Sequence, residues 1–281
     1  DVVLRECFRN PAPPEAHGFM DGLSVHYYAG VEKGIHKGSA TDFDEAVWFN
    51  TLARALYIEE VLTRHSAIMD TYDPEKKIGM MVDEWGCWHD VEPGTNPGFL
   101  YQQNTMRDAL TAGVSLNIFN KHCDRIKMAC IAQIVNVLQS VILTEGKKML
   151  LTPTYHVFHM YKHHQDAELV ESWLEGTGKI GLKEQEMVPD VQESVSVDKD
   201  GVLTITLNNL SPEEERQMEV VLTKKEPSRI EAKIVRGRMQ SYNTFEEPEQ
   251  VREEAFTQIQ VTDRGLSFTM PACSVMMIRV K

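Results

Sequence analysis

Residues 78–85 have the sequence IGMMVDEW, and this stretch decides the fold. The uninterrupted apolar run over 78–82 is typical of a β-strand that is buried on both faces, as in a parallel sheet. The run ends in the acidic pair Asp83 and Glu84, and we expect Trp85 to begin the following loop. Catalytic groups of α/β barrels stand at the carboxyl ends of such strands, so Glu84 is the first candidate for chemistry.

Strand-like and helix-like segments alternate on both sides of this stretch. The predicted elements are a strand over 20–28, a helix from an N-cap at Thr41 to about Arg64, the strand over 78–82, a helix over 100–111 ended by Gly113, a strand over 114–119 and a helix from Thr152 to about His164. This alternation predicts a parallel α/β sheet or barrel.

Three strand–helix units cannot close an eight-stranded barrel, which typically takes about 250 residues. The chain therefore forms either a small open sheet or the later part of a barrel. Its opening, DVVLRECF, has the pattern of a helix interior with no cap ahead of it, which favours the second alternative. We expect the N-terminal half of the barrel to be another chain, a proteolytic partner or a lost segment.

The pattern changes after residue 166. Short segments of alternating apolar and polar residues follow, separated by turn signals such as Asp200-Gly201 and Ser211-Pro212. Regular short strands with this punctuation predict an antiparallel β-sandwich. We therefore expect an α/β region over 1–165 and an all-β region over 166–281. The predicted strands of the second region are 202–207, 218–223, 229–235, 256–261, 266–270 and 274–280.

Composition and charge exclude several functional classes. Asp and Glu outnumber Lys and Arg by 42 to 29, which gives a formal net charge of −13. A chain of this sign repels nucleic acid and anionic lipid, and no apolar run approaches the roughly 20 residues that span a bilayer.

The five scattered cysteines form no CxxC pair. This pattern indicates a reducing compartment and favours the cytoplasm, although secretion stays open if the true N-terminus lies elsewhere.

Few residues stand out as candidates for chemistry. Glu84 could be a rigidly held nucleophile or base, with Trp85 and Trp88 as a surface on which a sugar stacks, or an ordinary strand-end ion pair. His26 follows its strand in the same way and could equally be a structural histidine. Gln133, like the nearby Asn136, lies in an apolar segment and must find hydrogen-bond partners, either in a polar pocket or in the core.

A metal site is not expected. The histidines of the segment 156–164 lack a carboxylate or thiol at a supporting spacing, so they are assigned to a helix surface. Cys87 and His89 are both possible ligands, but such close positions on one loop rarely share a metal.

Four blocks of sequence together resemble the family 51 glycoside hydrolases, the α-L-arabinofuranosidases. They are VDEWGCW, SVHYY, NKHCDRIKMACIAQIVNVLQS and LTPTYHVFHMYKHHQDA, and the terminal SFTMPACSVMMIRV continues the match more loosely. The resemblance implies the C-terminal part of a (β/α)8 TIM barrel followed by an antiparallel, jelly-roll-like β-sandwich. It also implies that Glu84 is the nucleophile, that His26, Tyr28 and Gln133 bind the reacting sugar, and that Trp88 lines the pocket wall.

One departure from the family pattern is as informative as the match. A retaining glycosidase needs a second carboxylate roughly 5–5.5 Å from the nucleophile to act as acid and base. In this family that residue lies in an Asn-Glu pair, and this chain contains no such pair. The resemblance therefore implies that the missing N-terminal half contributes the acid/base.

The leading hypothesis is a retaining, non-reducing-end α-L-arabinofuranosidase that acts on arabinan, arabinoxylan or their oligosaccharides. An endo-glucanase or xylosidase on the same framework is one alternative, and a non-catalytic carbohydrate-binding or assembly piece is another. No metal or organic cofactor is expected, because two carboxylates suffice for this chemistry. The expected partners are an arabinose-containing saccharide, the N-terminal half of the barrel and, through the resemblance, further copies of the protein.

Overall fold

The computed structural model describes residues 20–30, 37–183, 187–223 and 227–281, so the helix predicted for the first eight residues lies outside the described part. The first region has three parallel strands in the order β1-β2-β3, with helices on one face. Its elements are β1 (Gly22–Ala29), α1 (Glu45–Leu56), α2 (Ile58–Tyr72), β2 (Gly79–Cys87), α3 (Met106–Lys121), β3 (Ile126–Ile131), β4 (Ile142–Glu145), β5 (Lys148–Leu151) and α4 (Pro153–Tyr161).

The second region is a sandwich of a six-stranded and a three-stranded antiparallel sheet, in the orders β13-β12-β16-β10-β9-β6 and β11-β15-β14. Apolar side chains of both sheets form a separate core that includes Ile205, Ile278 and Phe268. The strands are β6 (Glu168–Leu169), β7 (Lys179–Ile180), β8 (Val188–Pro189), β9 (Val191–Val197), β10 (Leu203–Asn209), β11 (Arg216–Val221), β12 (Ile230–Arg236), β13 (Glu254–Ala255), β14 (Gln260–Thr262), β15 (Gly265–Met270) and β16 (Ser274–Val280).

Most of the predicted strands of the sandwich are present within two residues of their expected bounds. The prediction for 256–261 is only partly right, because β14 begins at Gln260 and Phe256 packs into the core from a loop. The strand β9 was not predicted, although its sequence VQESVSV alternates in the expected way.

The helix after β1 begins later and the helical segment ends later than predicted. Asp44, rather than Thr41, is the N-cap of α1, and its side chain accepts a hydrogen bond from the backbone N–H of Val47 at 3.0 Å. Ser39 already accepts from the backbone N–H of Thr41, which places Thr41 in the preceding turn. A second helix, α2, follows at once, so helical structure extends past Arg64.

The predictions of a helix end at Gly113 and of a strand over 114–119 are wrong. Residues 106–111 of the predicted helix and the whole predicted strand belong to one continuous helix, α3, which begins later than the predicted residue 100, with a capping box formed by Thr105 and Asp108. Gly113 serves packing instead, because a Cβ added there would lie 2.3 Å from the side-chain oxygen of Asn208 on β10. The third parallel strand is β3. Its apolar sequence is interrupted by the charged and exposed Lys127.

A buried arginine fixes the N-terminal ends of β2 and β3. Arg125 is fully buried, and its guanidinium donates to the Asp73 carboxylate at 2.7 Å and to the backbone carbonyl of Ile78 at 3.0 Å. Burial would raise the pKa of Asp73, but backbone N–H groups and Arg125 lower it overall. The exposed polar groups lie at the opposite end of the sheet, where β2 ends.

The two regions share a core. Helix α3 packs between the parallel sheet and the sandwich, and Asn117 on α3 accepts a hydrogen bond from Thr206 on β10 at 2.7 Å. Buried residues of the sandwich, such as Met277, belong to the same apolar cluster as Trp48 of α1. The boundary at residue 165 between two domains stays a prediction. In the described part of the chain, no helix combines the length and apolar character needed to cross a bilayer.

Candidate active site

Strand β1 presents a row of polar side chains on the open face of the parallel sheet. Ser24, His26 and Tyr28 alternate along the strand and therefore point to the same side. Val25 and Tyr27 point to the other side and pack against the helices. On the open face, the side chains of Ser24, His26 and Tyr28 lie next to polar groups of the neighbouring strand β2.

Strand β2 places two consecutive carboxylates on this same face. The pairing register shifts between Ser24 and His26 on the β1 side, and between Val82 and Trp85 on the β3 side. Such an irregularity lets adjacent side chains escape strict alternation and re-aims them, as bulges near active sites do. As a result, both Asp83 and Glu84 reach the polar row on β1.

His26 lies between the two carboxylates. Its Nε2 is 3.3 Å from Oδ1 of Asp83, and its Nδ1 is 3.4 Å from Oε2 of Glu84. The Tyr28 hydroxyl donates to Oε2 of Glu84 at 2.8 Å, and the Ser24 hydroxyl donates to Oδ1 of Asp83 at 2.7 Å. We call these five residues the open cluster, since the side chains of His26 and Glu84 remain 48% and 47% exposed.

An aromatic wall borders the open cluster. The ring of Trp88 lies 5.1 Å from the ring of Tyr28, and the ammonium of Lys37 sits 3.7 Å from the centre of the Trp88 ring. Trp88 is half-buried and offers the apolar surface that sugar rings stack against. Trp85 does not contribute to this wall: it lies within β2, is 1% exposed and packs on Phe119. The expectation of a loop at Trp85 and of a sugar-stacking role for it is wrong, because its side chain points into the helix layer.

Gln133 follows the end of β3, at the same edge of the sheet. The backbone N–H of its neighbour Ala132 donates to the carbonyl of Trp85 at 3.3 Å, which brings this loop beside Glu84. The side chain of Gln133 is exposed, whereas Asn136 exchanges hydrogen bonds with Thr144 of the β4–β5 hairpin. Of the two amides, Asn136 is satisfied structurally and Gln133 is free to meet a ligand.

The two carboxylates of the open cluster are not equivalent. The hydrogen bond from Ser24 lowers the pKa of Asp83 below its usual range, in spite of some burial. Burial, followed by the hydrogen bond and the negative charge of Glu84, raises the pKa of Tyr28 far above its usual range. Asp83 is therefore an anion at neutral pH and is unsuited to donate a proton, while Tyr28 keeps its proton and holds Glu84.

A second acid–histidine group lies directly behind the open cluster. His89 and Asp108 are fully buried, and Nε2 of His89 is 2.9 Å from Oδ1 of Asp108. Arg107 stands beside His89, with Nη2 3.0 Å from the ring Nε2, and Gln139 donates to Oδ1 of Asp108 at 2.8 Å. We call His89, Arg107, Asp108 and Gln139 the buried cluster.

Two residues of the buried cluster and the neighbouring Cys87 resemble a metal site in residue type and spacing. Ligand atoms of Cys87, His89 and Asp108 lie within 4.8 Å of one another. However, the guanidinium of Arg107 already places a positive charge against His89, and burial raises the pKa of the Cys87 thiol far above its usual range. Burial also lowers the pKa of His89, so the imidazole is neutral at pH 7. The geometry fits a hydrogen-bonded charge network better than a cation site.

Two of the four histidines of the segment 156–164, His159 and His164, have hydrogen-bond partners that lie in the sandwich or beside it. Nδ1 of His159 is 2.7 Å from the carboxylate of Glu253. Nδ1 of His164 is 2.7 Å from the Ser196 hydroxyl, and its Nε2 is 3.1 Å from the Thr206 hydroxyl. These contacts tie α4 and the turn after it to the sandwich, and the prediction that no metal is bound here stays a prediction.

The sequence prediction missed Ser24 and Asp83 as members of the site. Asp83 was visible as the other half of the acidic pair, but strict alternation along a strand would have turned it away from Glu84. Ser24 could have been found from its i−2 position relative to His26. The buried cluster was hidden because its members come from segments far apart in sequence.

A family model and a similar curated protein identify the family of this chain. Residues 83–274 match the model of the α-L-arabinofuranosidase C-terminal domain. An intracellular exo-α-L-arabinofuranosidase of Bacteroides ovatus is 43% identical over 93% of this chain and 51% of its own length. The chain thus spans about half the length of this curated relative.

Solved structures give the same result. The family 51 arabinofuranosidase of Xanthomonas axonopodis pv. citri is 45% identical, with a TM-score of 0.90, over 95% of this chain and 54% of that one. The α-L-arabinofuranosidase of Thermotoga maritima, solved with arabinose, covers 92% of this chain and 52% of its own at 22% identity, with a TM-score of 0.74, and shows the fold alone. The predicted fold class, the C-terminal part of a (β/α)8 barrel followed by a β-sandwich, is confirmed, and the alternative activities are not favoured. The chain belongs to the α-L-arabinofuranosidase C-terminal domain family, within the family 51 glycoside hydrolases.

Proposed function

We propose that this chain forms the nucleophile-bearing part of a retaining exo-α-L-arabinofuranosidase. The complete enzyme releases terminal α-L-arabinofuranosyl groups from arabinan, arabinoxylan or their oligosaccharides. The observation that carries the proposal is the position of Glu84: it stands near the carboxyl end of a parallel strand, half-exposed on the open face, with Tyr28 and His26 against one of its oxygens.

Glu84 is the nucleophile in this proposal. The contacts from Tyr28 and His26 both fall on Oε2, so Oε1 is the oxygen that attacks the anomeric carbon. Attack forms a covalent glycosyl-enzyme with inversion, and hydrolysis of that intermediate inverts again, so configuration is retained overall. Trp88 and Gln133 flank the sugar, the first through its ring face and the second through its amide.

The acid/base is contributed by the N-terminal half of the barrel. Asp83 cannot fill this role, because its lowered pKa leaves it ionised when a proton must be given to the leaving oxygen. We propose that a separate chain or segment pairs along the free edges of β1 and β3 and brings a carboxylate to about 5–5.5 Å from Glu84. Its protonated form releases the leaving group, and its ionised form then activates water.

The remaining expectations complete the proposal. The name of the Bacteroides ovatus relative supports a cytoplasmic location. Two carboxylates suffice for the reaction, so no metal or organic cofactor is required. Self-association into a homo-oligomer remains part of the proposal, as implied by the family resemblance.

The decisive test replaces Glu84 by Gln in the complete barrel. The amide has nearly the same shape but is a poor nucleophile, so we expect turnover of an arabinofuranoside to fall by about 1,000-fold or more. Glu219→Gln is the matched control, since Glu219 is a similarly exposed carboxylate, 50% exposed, on the sandwich. The control should retain full activity, and neither variant should act on a glucopyranoside or xylopyranoside.

A second measurement identifies the step. Glu84→Gly with added azide should release a glycosyl azide of inverted configuration, because the small anion enters from the face that Glu84 occupied. Product stereochemistry is read by NMR. Wild-type turnover by Glu84→Gln, or formation of the retained azide, would rule out Glu84 as the nucleophile.

A further inference from the structure

A concave site with three arginines lies on the sandwich, away from the open cluster. It has a volume of about 580 Å³ and lies where β12 ends and β13 begins. Its lining includes Arg236, Arg238 and Arg252, together with the polar residues Ser241 and Gln250. We call this site the arginine pocket.

The charge of the pocket opposes that of the chain. The whole chain carries a formal net charge of −13. Glu254 is the single acid of the lining and Glu249 pairs with Arg252 beside it, so three positive charges meet two negative charges there. The pocket is therefore a local positive potential on a surface that otherwise repels anions.

Most hydrogen-bond donors of the three arginines are unused among the residues that the structure describes. Three guanidinium groups carry about fifteen N–H donors. Arg252 donates to Glu249 at 2.7 Å, whereas Arg236 and Arg252 lie 3.8 and 3.9 Å from Glu254, beyond hydrogen-bond distance. The guanidinium of Arg238 has no hydrogen bond or ion pair in the described part of the chain.

The backbone that carries these arginines is well anchored. Arg238 and Ser241 close a turn, in which the Arg238 N–H donates to the Ser241 hydroxyl at 3.0 Å and the Ser241 N–H donates to the Arg238 carbonyl at 2.9 Å. Next to Arg252, the backbone of Val251 exchanges two hydrogen bonds with the side chain of the buried Asn243. The backbone positions of Arg238 and Arg252 are thus fixed at the edge of the pocket.

We propose that the arginine pocket binds an oxyanion, a carboxylate or a phosphate, carried by a molecule of sugar size. Guanidinium groups match the geometry of carboxylate and phosphate and bind both in a bidentate manner. The depression is broad and open to solvent, and its volume of about 580 Å³ has room for more than an inorganic ion. This site is independent of the reaction proposed at Glu84.

Calorimetric titration of the full-length protein tests the proposal. The probes are two matched pairs: D-galacturonate against D-galactose, and glucose 6-phosphate against glucose. We expect saturable binding of at least one anion and none of the neutral partners. Binding of galacturonate alone identifies a carboxylate site, of glucose 6-phosphate alone a phosphate site, and of both a general oxyanion site.

Variants connect the binding to the pocket. Arg238→Ala and Arg252→Ala should each weaken binding by at least tenfold, and Arg238→Lys should restore it only in part, because lysine keeps the charge and loses the planar fork. Arg264→Ala is the control, since Arg264 is an exposed arginine elsewhere on the sandwich. The proposal is overturned if neither anion binds saturably, if the neutral sugars bind equally well, or if Arg238→Ala and Arg264→Ala behave alike.

Discussion

Two acid–histidine groups lie near the carboxyl end of β2, one beside Glu84 on the strand and one around His89 just beyond it, and they differ in almost every physical property except composition. In the open cluster, Glu84 and His26 are half-exposed and contact each other at 3.4 Å. In the buried cluster, Asp108 and His89 are fully enclosed and 2.9 Å apart. In the open cluster, Oε1 of Glu84 contacts neither Tyr28 nor His26 and lies on an open face. In the buried cluster, the side chains contact one another.

This difference separates a site for chemistry from a structural network. An enclosed ion that lies among hydrogen-bond donors contributes rigidity, and no substrate can reach it. An accessible carboxylate that lies at a strand end beside an aromatic ring can meet a sugar. Residue types alone would have ranked His89, Cys87 and Asp108 above the open cluster as a candidate site, so exposure is what decides between them.

The largest expected contrast is in stability. Burial would raise the pKa of Asp108, but His89, Arg107 and a backbone N–H hold it well below its usual range. Asp108→Ala leaves the buried charge of Arg107 uncompensated and should cost about 3–5 kcal/mol of unfolding free energy. Glu84→Gln should cost less than about 1 kcal/mol, because its carboxylate is half-exposed.

Urea denaturation of the two variants and of wild type measures this contrast. The midpoint should fall sharply for Asp108→Ala at an unchanged slope and scarcely move for Glu84→Gln. Equal losses in the two variants would mean that the open cluster is also structural.

The next largest effect lies at the connection between the two clusters. Gly86 has a φ of +128°, and a Cβ added there would lie 2.6 Å from Cγ of Gln139. Gly86→Ala therefore combines backbone strain with a steric clash and should cost roughly 2–3 kcal/mol. The double variant with Gln139→Ala should cost about 1 kcal/mol less than the sum of the two single changes, since it removes the clash but not the strain.

A double-mutant cycle of unfolding free energies checks this prediction. Additive losses would show that the side chain of Gln139 moves away from the added Cβ, and that backbone strain alone accounts for the cost of Gly86→Ala.

The parts of this comparison that the sequence could predict are those set by local pattern. The apolar run before Asp83 located β2, although the strand continues to Cys87, and the Thr–Pro start of α4 located that helix. The β-branched and aromatic residues after Gly113 favoured a strand, yet tertiary packing on both sides and the capping box at Thr105 made this segment a helix. The Thr105–Asp108 spacing was the signal that could have corrected this prediction.

The parts that could not be predicted depend on register and on distant contacts. The shift that brings Asp83 to the same face as Glu84 is set by pairing with both neighbouring strands. The buried cluster joins His89 to Gln139, which lies fifty residues further along the chain. Neither relation has a period or a motif within the sequence.

A third histidine, His164, should make the stability of the protein depend on pH, because it is buried like His89 of the buried cluster. Burial lowers the pKa of His164 to about 4, with a smaller contribution from His163. The unfolded chain binds this proton near pH 6.5 and the folded chain does not, so stability falls as the pH drops from about 6.5 to about 4. We expect His164 to account for about 3 kcal/mol of that loss.

The comparison of wild type with His164→Gln isolates this contribution from the carboxylates. The difference in unfolding free energy between the two proteins should shrink as the pH falls through this range. Parallel pH profiles would show that His164 is protonated in the folded state as well.

The smallest expected effect is the most specific to the open cluster, and β1 offers a matched pair of tyrosines for it. Tyr28 donates to Glu84 at 2.8 Å on the open face, and Tyr27 donates to the backbone carbonyl of Arg54 at 2.6 Å on the opposite face. In the complete barrel, Tyr28→Phe should lower kcat/KM by about tenfold, which corresponds to about 1.4 kcal/mol of transition-state stabilisation, because Glu84 loses the donor that orients it. Tyr27→Phe should instead cost about 1 kcal/mol of unfolding free energy and leave kcat/KM within about twofold of wild type. Arabinofuranoside kinetics and urea denaturation on both variants separate the two faces of the strand. If Tyr27→Phe lowered kcat/KM as much as Tyr28→Phe does, the effect would come from the strand as a whole, and the hydrogen bond to Glu84 would have no catalytic role.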